Sequence, residues 1–289
     1  MPKSPCRIID AHQHLVYINN ANPEEATLFD IKTYFEDEEV EGAWMLSISD
    51  GVIHPLHDYD GAVLTAAADY PGRIIPFAFL DFRKPVSAID ESKACGFAGL
   101  KCHFPVKPYN CDEYMPYYAR AEALGMPIMF HTGGGYSSDS EKIGFARWTY
   151  PDGMLLEHSA VYTLDRIAKY FPRLVLVAAH MGGPSGFNDC IHFARSNANF
   201  YFDLSCSPLQ RQWHYRFAEV VEMVGSQKIL YGSDSRQPGE AVSRRICREN
   251  IASFNAADQE NILCGNARRL VQAAGYDPRN IRLTPPSSL

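Results

Sequence analysis

Histidine and aspartate side chains recur at the ends of short apolar runs along this chain of 289 residues. His12 and His14 close the first run, and three later runs end in His131, His180 and Asp234. Imidazole nitrogens and carboxylate oxygens without thiolates are a donor set that suits zinc, with manganese or iron less favoured. A metal ion with an open coordination position lowers the pKa of a bound water toward ~7 and supplies hydroxide at neutral pH. These residue types therefore indicate metal-assisted chemistry with an activated water.

The first run brings two of these histidines together. Alternate residues of a strand point the same way, so Asp10, His12 and His14 are expected to share one face, with the histidines about 7 Å apart. Two imidazoles so placed can ligate one metal ion. Asp10 lies deeper and could orient a ligand histidine through its second ring nitrogen. An isolated H-x-H pair is more often simply solvated or hydrogen-bonded, so the metal interpretation depends on the other runs.

Eight short apolar runs, rich in β-forming residues, alternate with stretches of helical composition. The predicted strands are Arg7–His14, Gly42–Ser49, Arg73–Leu80, Gly99–Phe104, Pro127–Thr132, Leu174–His180, Phe200–Cys206 and Lys228–Ser233. Strands that alternate with helices form parallel βαβ units, and eight such units predict an α/β fold of the (β/α)8 TIM-barrel type. An open doubly wound sheet is the alternative, but no glycine-rich dinucleotide fingerprint follows the first strand.

The chain continues beyond the eighth predicted strand. Two further helical stretches are expected near Gly239–Phe254 and Asp258–Ala274. We predict one barrel domain over residues 1–289, with an unstructured tail over residues 280–289.

Polar side chains at the carboxyl ends of barrel strands meet at one mouth, where barrel enzymes do their chemistry. His131, His180 and Asp234 end the fifth, sixth and eighth runs, and they join the first-strand histidines there. A single buried histidine is more often a core residue, but five such groups at strand ends predict an active site. A carboxylate in this position can accept a proton from bound water and pass it to a leaving group, and we assign that role to Asp234.

Three cation-capable residues are predicted to bind the substrate. Lys101 and His103 end the fourth run on one face, and Arg236 follows Asp234 by two residues. A guanidinium can hold a carboxylate through two hydrogen bonds, although a surface position is the commoner fate of an arginine. A lysine that faces an anion near its ordinary pKa of ~10.4 stays protonated, which argues against a carboxylated Lys101 and for a single metal ion.

Composition excludes several classes of protein. The net charge is −7, with no basic stripe of the kind that nucleic-acid binders carry. No apolar run is long enough for a membrane helix or a signal peptide. The eight cysteines include no C-x-x-C pair, so we expect reduced thiols. We therefore expect a cytoplasmic protein with a small-molecule substrate and neither a nucleic-acid nor a membrane partner.

From Ile8 to about Val271 the sequence resembles the amidohydrolase superfamily, in particular its amidohydrolase-2 branch. The motifs that carry this resemblance are Asp10-Ala-His-Gln-His14, Gly99-Leu-Lys-Cys-His103, Phe130-His-Thr-Gly133, His180-Met-Gly-Gly183, Tyr231-Gly-Ser-Asp234 and Asn261-Ile-Leu-Cys-Gly-Asn-Ala-Arg-Arg-Leu270. Many relatives place a proline two residues after the last aspartate of the Gly-Ser-Asp motif, whereas Arg236 stands there in this chain.

The resemblance also implies roles for individual residues. It implies that the metal ligands are His12, His14, His131 and Asp234. In single-metal members, the histidine that corresponds to His180 activates water or polarises the substrate. Two-metal relatives carry a carboxylated lysine at the position of Lys101, but relatives with a similar Gly-Leu-Lys-x-His run favour one ion. The resemblance further implies a homodimer.

Three functions follow as hypotheses. The first is hydrolysis of a small, anionic lactone or amide with one divalent metal ion, zinc before manganese. The alternative is metal-dependent nonoxidative decarboxylation of an unsaturated or aromatic acid, which uses the same residues. A non-catalytic binding barrel is the third, and it predicts the loss of a residue such as Asp234, which is present.

Overall fold

Ten strands and ten α-helices build the described part of the chain in a computed structural model. The described residues are 6–19, 22–48, 58–103, 105–133, 155–205, 214–235 and 239–283. The strands are β1 (Ile8–Gln13), β2 (Val16–Asn19), β3 (Asn22–Leu28), β4 (Val40–Leu46), β5 (Ile74–Phe79), β6 (Gly99–Cys102), β7 (Ile128–Phe130), β8 (Leu176–Ala178), β9 (Phe200–Asp203) and β10 (Ile229–Leu230). The helices are α1 (Ile31–Glu36), α2 (Tyr59–Asp69), α3 (Ala88–Cys95), α4 (Met115–Ala123), α5 (Leu164–Tyr170), α6 (Gly183–Ser196), α7 (His214–Val224), α8 (Gly239–Ile251), α9 (Ala256–Glu260) and α10 (Asn266–Ala273).

Eight of the strands form one parallel sheet in the order β1-β4-β5-β6-β7-β8-β9-β10, and β2 and β3 form a separate antiparallel pair. Past the end of β10 the chain returns to β1. The Ala11 N–H donates to the Tyr231 carbonyl at 2.9 Å, and the Asp234 N–H donates to the His12 carbonyl at 2.8 Å. We call this junction the β1–β10 seam. It closes the sheet, which confirms the predicted (β/α)8 barrel.

The apolar strand runs are explained by two layers of core. Side chains such as Trp44, Phe77 and Met129 fill the inside of the barrel, and Ile8, Phe130 and many others pack outward against the helices. Strands buried on both faces read as continuous apolar runs rather than alternating ones, which is why their positions were predictable.

The last helix, α10, and the residues that follow it cover the amino-terminal end of the barrel. Leu270 and Val271 of α10 pack into the inner core, and the Tyr276 hydroxyl donates to the carbonyl of Ile74, the first residue of β5, at 3.1 Å. The second predicted helical stretch consists of α9, a π-helical turn at Asn261–Gly265 and α10. This end of the barrel is therefore closed, and the opposite end is left for chemistry.

Two features of the described chain bear on expectations from the sequence. The Arg282 N–H donates to the Cys95 carbonyl at 3.0 Å, so the described chain continues in contact with the barrel to Leu283, and residues 284–289 lie outside the described part. The sulfur atoms of Cys6 and of Cys264, in the π-helical turn, are in contact beside the start of β1. Their Cα atoms are 7.3 Å apart, farther than the ~4.4–6.8 Å of ordinary disulfides, so the expectation of reduced thiols stays a prediction for this pair. Among the described helices, none is long and apolar enough to cross a bilayer.

Candidate active site

Asp234 lies among the side chains of three histidines at the carboxyl ends of the strands. Its Oδ1 is 3.5 Å from His14 Nε2 and 3.8 Å from His12 Nε2, and its Oδ2 is 3.9 Å from His180 Nε2. The side chain of Asp234 is 22% exposed, whereas His12 is 1% exposed. The carboxylate is thus the part of this group that faces the mouth.

The most compact metal-binding set in the described part of the chain is His12, His180 and Asp234. One ligand atom from each lies within 4.8 Å of the other two. Imidazole nitrogens and a carboxylate oxygen at this spacing suit a divalent ion such as zinc. This set contains His180, to which the family resemblance gave acid–base chemistry, in place of His131, to which it gave metal ligation.

His131 contacts this set of residues through the ring of His180. His131 Nδ1 and His180 Nε2 are 3.1 Å apart, and the two rings meet edge to face with centroids 4.9 Å apart. The Tyr109 hydroxyl donates to the His131 carbonyl at 3.0 Å and anchors the end of β7. All five residues predicted for metal binding and catalysis therefore converge on one mouth.

Asp10 does not have the contact that the strand pattern predicts. The pairing register of β1 with β4 shifts between Asp10 and Gln13, so the strict alternation of faces breaks at this point. Asp10 Oδ1 accepts hydrogen bonds from the backbone N–H groups of His12, at 3.0 Å, and Ser233, at 2.9 Å. The hypothesis that Asp10 orients a histidine ring is therefore wrong, because Asp10 binds backbone across the β1–β10 seam.

Two residues at the end of β9 were missed by the sequence reasoning. Asp203 Oδ2 lies 2.7 Å from His12 Nδ1, and Ser205 Oγ lies 2.9 Å from His180 Nδ1. Both residues are fully buried. A carboxylate and a hydroxyl two residues apart at the end of an apolar strand were the available signal, but that strand ends in no histidine and was passed over.

Glycine allows these groups to approach one another. A Cβ on Gly232 would lie 2.9 Å from the Cβ of His12 and 3.3 Å from that of Asp203. Real Cβ atoms essentially never come so close to their neighbours. Gly232 therefore permits the contact between the His12 ring and Asp203.

The backbone that carries His180 is left-handed over four residues. The φ angles are 59° at His180, 51° at Met181, 79° at Gly182 and 64° at Gly183. Residues with a side chain rarely adopt this conformation, since it costs roughly 1–2 kcal/mol for each of them. The turn directs the chain from β8 into α6 and leaves the His180 side chain at the mouth.

Lys101 lies deeper in the barrel than its predicted role suggests. It is 1% exposed, and its Nζ is 3.3 Å from His12 Nε2. Burial lowers the pKa of the Lys101 ammonium to about 8, against the opposing effect of Asp234 and Asp203. The expectation of an ordinary pKa for Lys101 is therefore wrong, because burial disfavours the charged ammonium.

Burial also keeps the imidazoles neutral, the form in which histidine binds a metal. It lowers the pKa of His14 to about 3 and that of His180 to about 4, and it holds the pKa of His12 and His131 well below the usual range. The His14 Nδ1–H donates to the Leu46 carbonyl at 2.8 Å, which leaves the Nε2 lone pair of His14 toward Asp234. The donor set therefore fits a divalent metal ion.

The remaining predicted substrate-binding residues are only partly described. His103 packs edge to face on His131, with ring centroids 4.7 Å apart, so it lines the same mouth. Arg236 lies outside the described residues, and its role in binding an anion stays a prediction.

Comparison with solved structures gives the same fold. A 2,6-dihydroxybenzoate decarboxylase from Rhizobium is 18% identical with a TM-score of 0.66, over 92% of this chain and 99% of that chain. A 5-carboxyvanillate decarboxylase from Novosphingobium aromaticivorans, solved with manganese, is 14% identical with a TM-score of 0.68, over 94% and 97%. An amidohydrolase from Burkholderia multivorans with bound zinc is 14% identical with a TM-score of 0.65, over 92% and 99%.

The search of curated proteins finds no match. A family model described as amidohydrolase matches residues 9–272, a stretch that begins inside β1 and ends inside α10. The match contains every described residue of the mouth and spans well over half of the sequence, so the chain belongs to the amidohydrolase family.

Proposed function

We propose that this protein is a metal-dependent hydrolase that cleaves a small, anionic lactone or amide. The observation that carries the proposal is the position of Asp234, whose carboxylate is partly open to the mouth and within 3.5–3.9 Å of three histidine Nε2 atoms. A carboxylate beside a metal site can exchange protons with a substrate, which a purely structural carboxylate cannot do.

The proposed ligands of one divalent ion, zinc before manganese, are His12, His14, His131 and Asp234. When bound, such an ion lowers the pKa of a coordinated water and polarises a carbonyl group. His12 and His14 lie on one side of the β1–β10 seam and Asp234 on the other. His180 then remains available, beside Asp234, to polarise the substrate or to move a proton.

Asp234 takes the proton that the attacking water loses when its oxygen bonds to the substrate carbonyl carbon. It returns this proton to the leaving alkoxide or amine as the acyl C–O or C–N bond breaks. Partial exposure suits the role, since the carboxylate must meet both water and substrate. Lys101, His103 and Arg236 are proposed to hold the substrate anion.

A second candidate function is metal-dependent nonoxidative decarboxylation. It is favoured by the likeness to the two decarboxylase structures named above, although that likeness extends only to the fold. In this reaction the same cationic residues hold the substrate, the bond from the ring or vinyl carbon to the carboxylate breaks, and CO2 leaves. A proton from Asp234 or His180 then replaces CO2 on that carbon.

One assay separates the two candidates. The zinc- and manganese-loaded protein is incubated in H2 18O with carboxylated lactones and cyclic amides, and separately with hydroxylated aromatic acids. Hydrolysis predicts 18O in the product acid without CO2 release. Stoichiometric CO2 from an aromatic acid establishes the second candidate, and full activity in verified metal-free protein contradicts both.

A further inference from the structure

A single buried carboxylate connects two of the site histidines. Asp203 is fully buried at the end of β9. Its Oδ2 faces His12 Nδ1 at 2.7 Å. Its Oδ1 accepts hydrogen bonds from the backbone N–H of His180 at 3.0 Å, from the backbone N–H of Ser205 at 2.8 Å, and from the Ser205 hydroxyl at 2.5 Å. Both carboxylate oxygens of Asp203 are therefore in hydrogen-bond contact with the site.

The contact with Asp203 determines which nitrogen of His12 carries the proton. An ionised carboxylate accepts hydrogen bonds and cannot donate them. At 2.7 Å the ring nitrogen must therefore be the donor, which assigns the proton to Nδ1. The lone pair of His12 is then on Nε2, the atom that faces Asp234 at 3.8 Å.

Ser205 determines in the same way which nitrogen of His180 carries the proton. The hydroxyl of Ser205 has one proton, and it is donated to Asp203, so the Ser205 oxygen can only accept from the ring of His180 at 2.9 Å. The Ser205 carbonyl, 3.2 Å from the same ring nitrogen, is also only an acceptor. His180 must therefore carry its proton on Nδ1 and direct its Nε2 lone pair toward the mouth.

We propose that Asp203, acting directly on His12 and through Ser205 on His180, is a positioning residue that fixes both imidazoles as the Nδ1–H tautomer. The contact between Asp203 and the His180 N–H also holds the start of the left-handed turn, so the same carboxylate sets the position of that ring. The expected effect on metal binding rests on the proposed metal-dependent function, whereas the assignment of the tautomers does not.

The tautomers can be read directly by NMR. The full chain is labelled with 15N-histidine and studied before and after zinc addition, with long-range 1H–15N correlations that distinguish Nδ1–H from Nε2–H rings. The ten histidines are assigned through single substitutions. We expect His12 and His180 to be Nδ1–H in both states. An Nε2–H ring at either position overturns the proposal without any variant.

Variants then test the cause. Asp203→Asn offers an amide that can both donate and accept, so His12 should become a mixture of tautomers and zinc affinity, measured by chelator competition, should fall about 10–100-fold. Asp10→Asn is the matched control, because Asp10 is as fully buried but contacts the backbone N–H of His12 and not its ring. It should leave the His12 tautomer unchanged, and equal mixing in the two variants contradicts the specific role of Asp203.

Ser205→Ala provides a second route if the Asp203 variant does not fold. It removes the acceptor at 2.9 Å and leaves His180 only the more distant carbonyl. We expect mixed tautomers at His180. Ser205 Oγ also lies 3.1 Å from His12 Nδ1, but His12 keeps the shorter contact with Asp203 at 2.7 Å and should stay Nδ1–H. Unaltered spectra at His180 contradict the part assigned to Ser205. If the wild-type tautomers are as expected but zinc does not bind, the proposed function fails and the assignment of the rings stands.

Discussion

His180 Nε2 lies 3.1 Å from His131 Nδ1 and 3.9 Å from Asp234 Oδ2, so His180 stands between the other two residues. The family resemblance makes His131 the metal ligand, whereas the most compact set contains His180. We expect His131→Asn to lose the stoichiometric metal, and His180→Asn to keep close to one ion per chain while turnover falls at least 100-fold. Elemental analysis and steady-state kinetics on the same preparations check this.

The reverse pattern, with metal lost only from the His180 variant, assigns the compact set as the ligands and contradicts the roles proposed for the pair. Two ions per chain in the wild-type protein contradict the single-metal proposal.

Replacement of Asp234 by asparagine should reduce turnover more than metal retention. The amide keeps one oxygen for the metal but cannot take up a proton, and general acid–base steps contribute about 10²–10⁴-fold to rate. Asp81 is a matched control, since it follows β5 and its carboxylate binds Arg83 at 2.7 Å instead of facing the histidines. Asp81→Asn should retain activity, and near-normal turnover in a metal-loaded Asp234→Asn protein rules out the proton shuttle.

Gly232→Ala should displace buried side chains that support the metal site. The new Cβ would force His12 and Asp203 apart, since it would lie 2.9 Å from the Cβ of His12. We expect a loss of about 1–3 kcal/mol in unfolding free energy, typical of overpacking, together with weaker zinc binding. Gly239→Ala is the control, because its Cβ would meet no atom closer than 3.5 Å. Equal stability and zinc affinity in the two variants would show that the close approach at Gly232 is not required.

Glu240 should make stability depend on pH. Burial raises its pKa to about 7 from 4.5, although Arg244 lies 3.8 Å away and opposes the shift. In the unfolded chain this carboxyl group ionises near pH 4.5, whereas in the folded protein it keeps its proton to about pH 7. Its contribution to stability is therefore present below the lower pKa and is lost as the pH rises through this window.

Glu240→Gln mimics the protonated side chain and removes this dependence. The variant should match the wild-type protein near pH 4.5 and be more stable near pH 7, by on the order of 1–3 kcal/mol. Urea unfolding at several pH values measures the difference. Parallel profiles for the two proteins contradict the shifted pKa.

The strands were predictable because burial on both faces of the sheet produces continuous apolar runs in the sequence. The hydrogen-bonded strands are shorter than the apolar runs. The reason is that most of the residues with metal-binding or catalytic side chains follow the last residue of their strand. For example, β8 ends at Ala178, and His180 follows in a left-handed turn that no apolar pattern reports. The apolar pattern thus locates the residues of the mouth but not the backbone conformation that directs their side chains.

The buried contacts that support the residues of the mouth could not be predicted from the sequence. The register of β1 shifts between Asp10 and Gln13, and alternation alone cannot detect such a shift. Asp203 meets His12 across 191 positions of sequence, a contact that only the closed barrel creates. The pKa of Lys101 depends in the same way on burial that its neighbours in sequence do not show.

The β1–β10 seam joins the first and last strands of the barrel. In the described chain, its backbone hydrogen bonds are those of Ala11 and Asp234, and the carboxylate of Asp10 bridges the two sides. Closure of so long a loop costs more entropy than the pairing of consecutive strands, so this junction should form last in folding and open first. An ion held by His12 and Asp234 would act as a reversible cross-link between the two ends of the barrel. Metal loading would then mark the chains that have completed folding, and chelation would expose the barrel wall to proteases at this one junction.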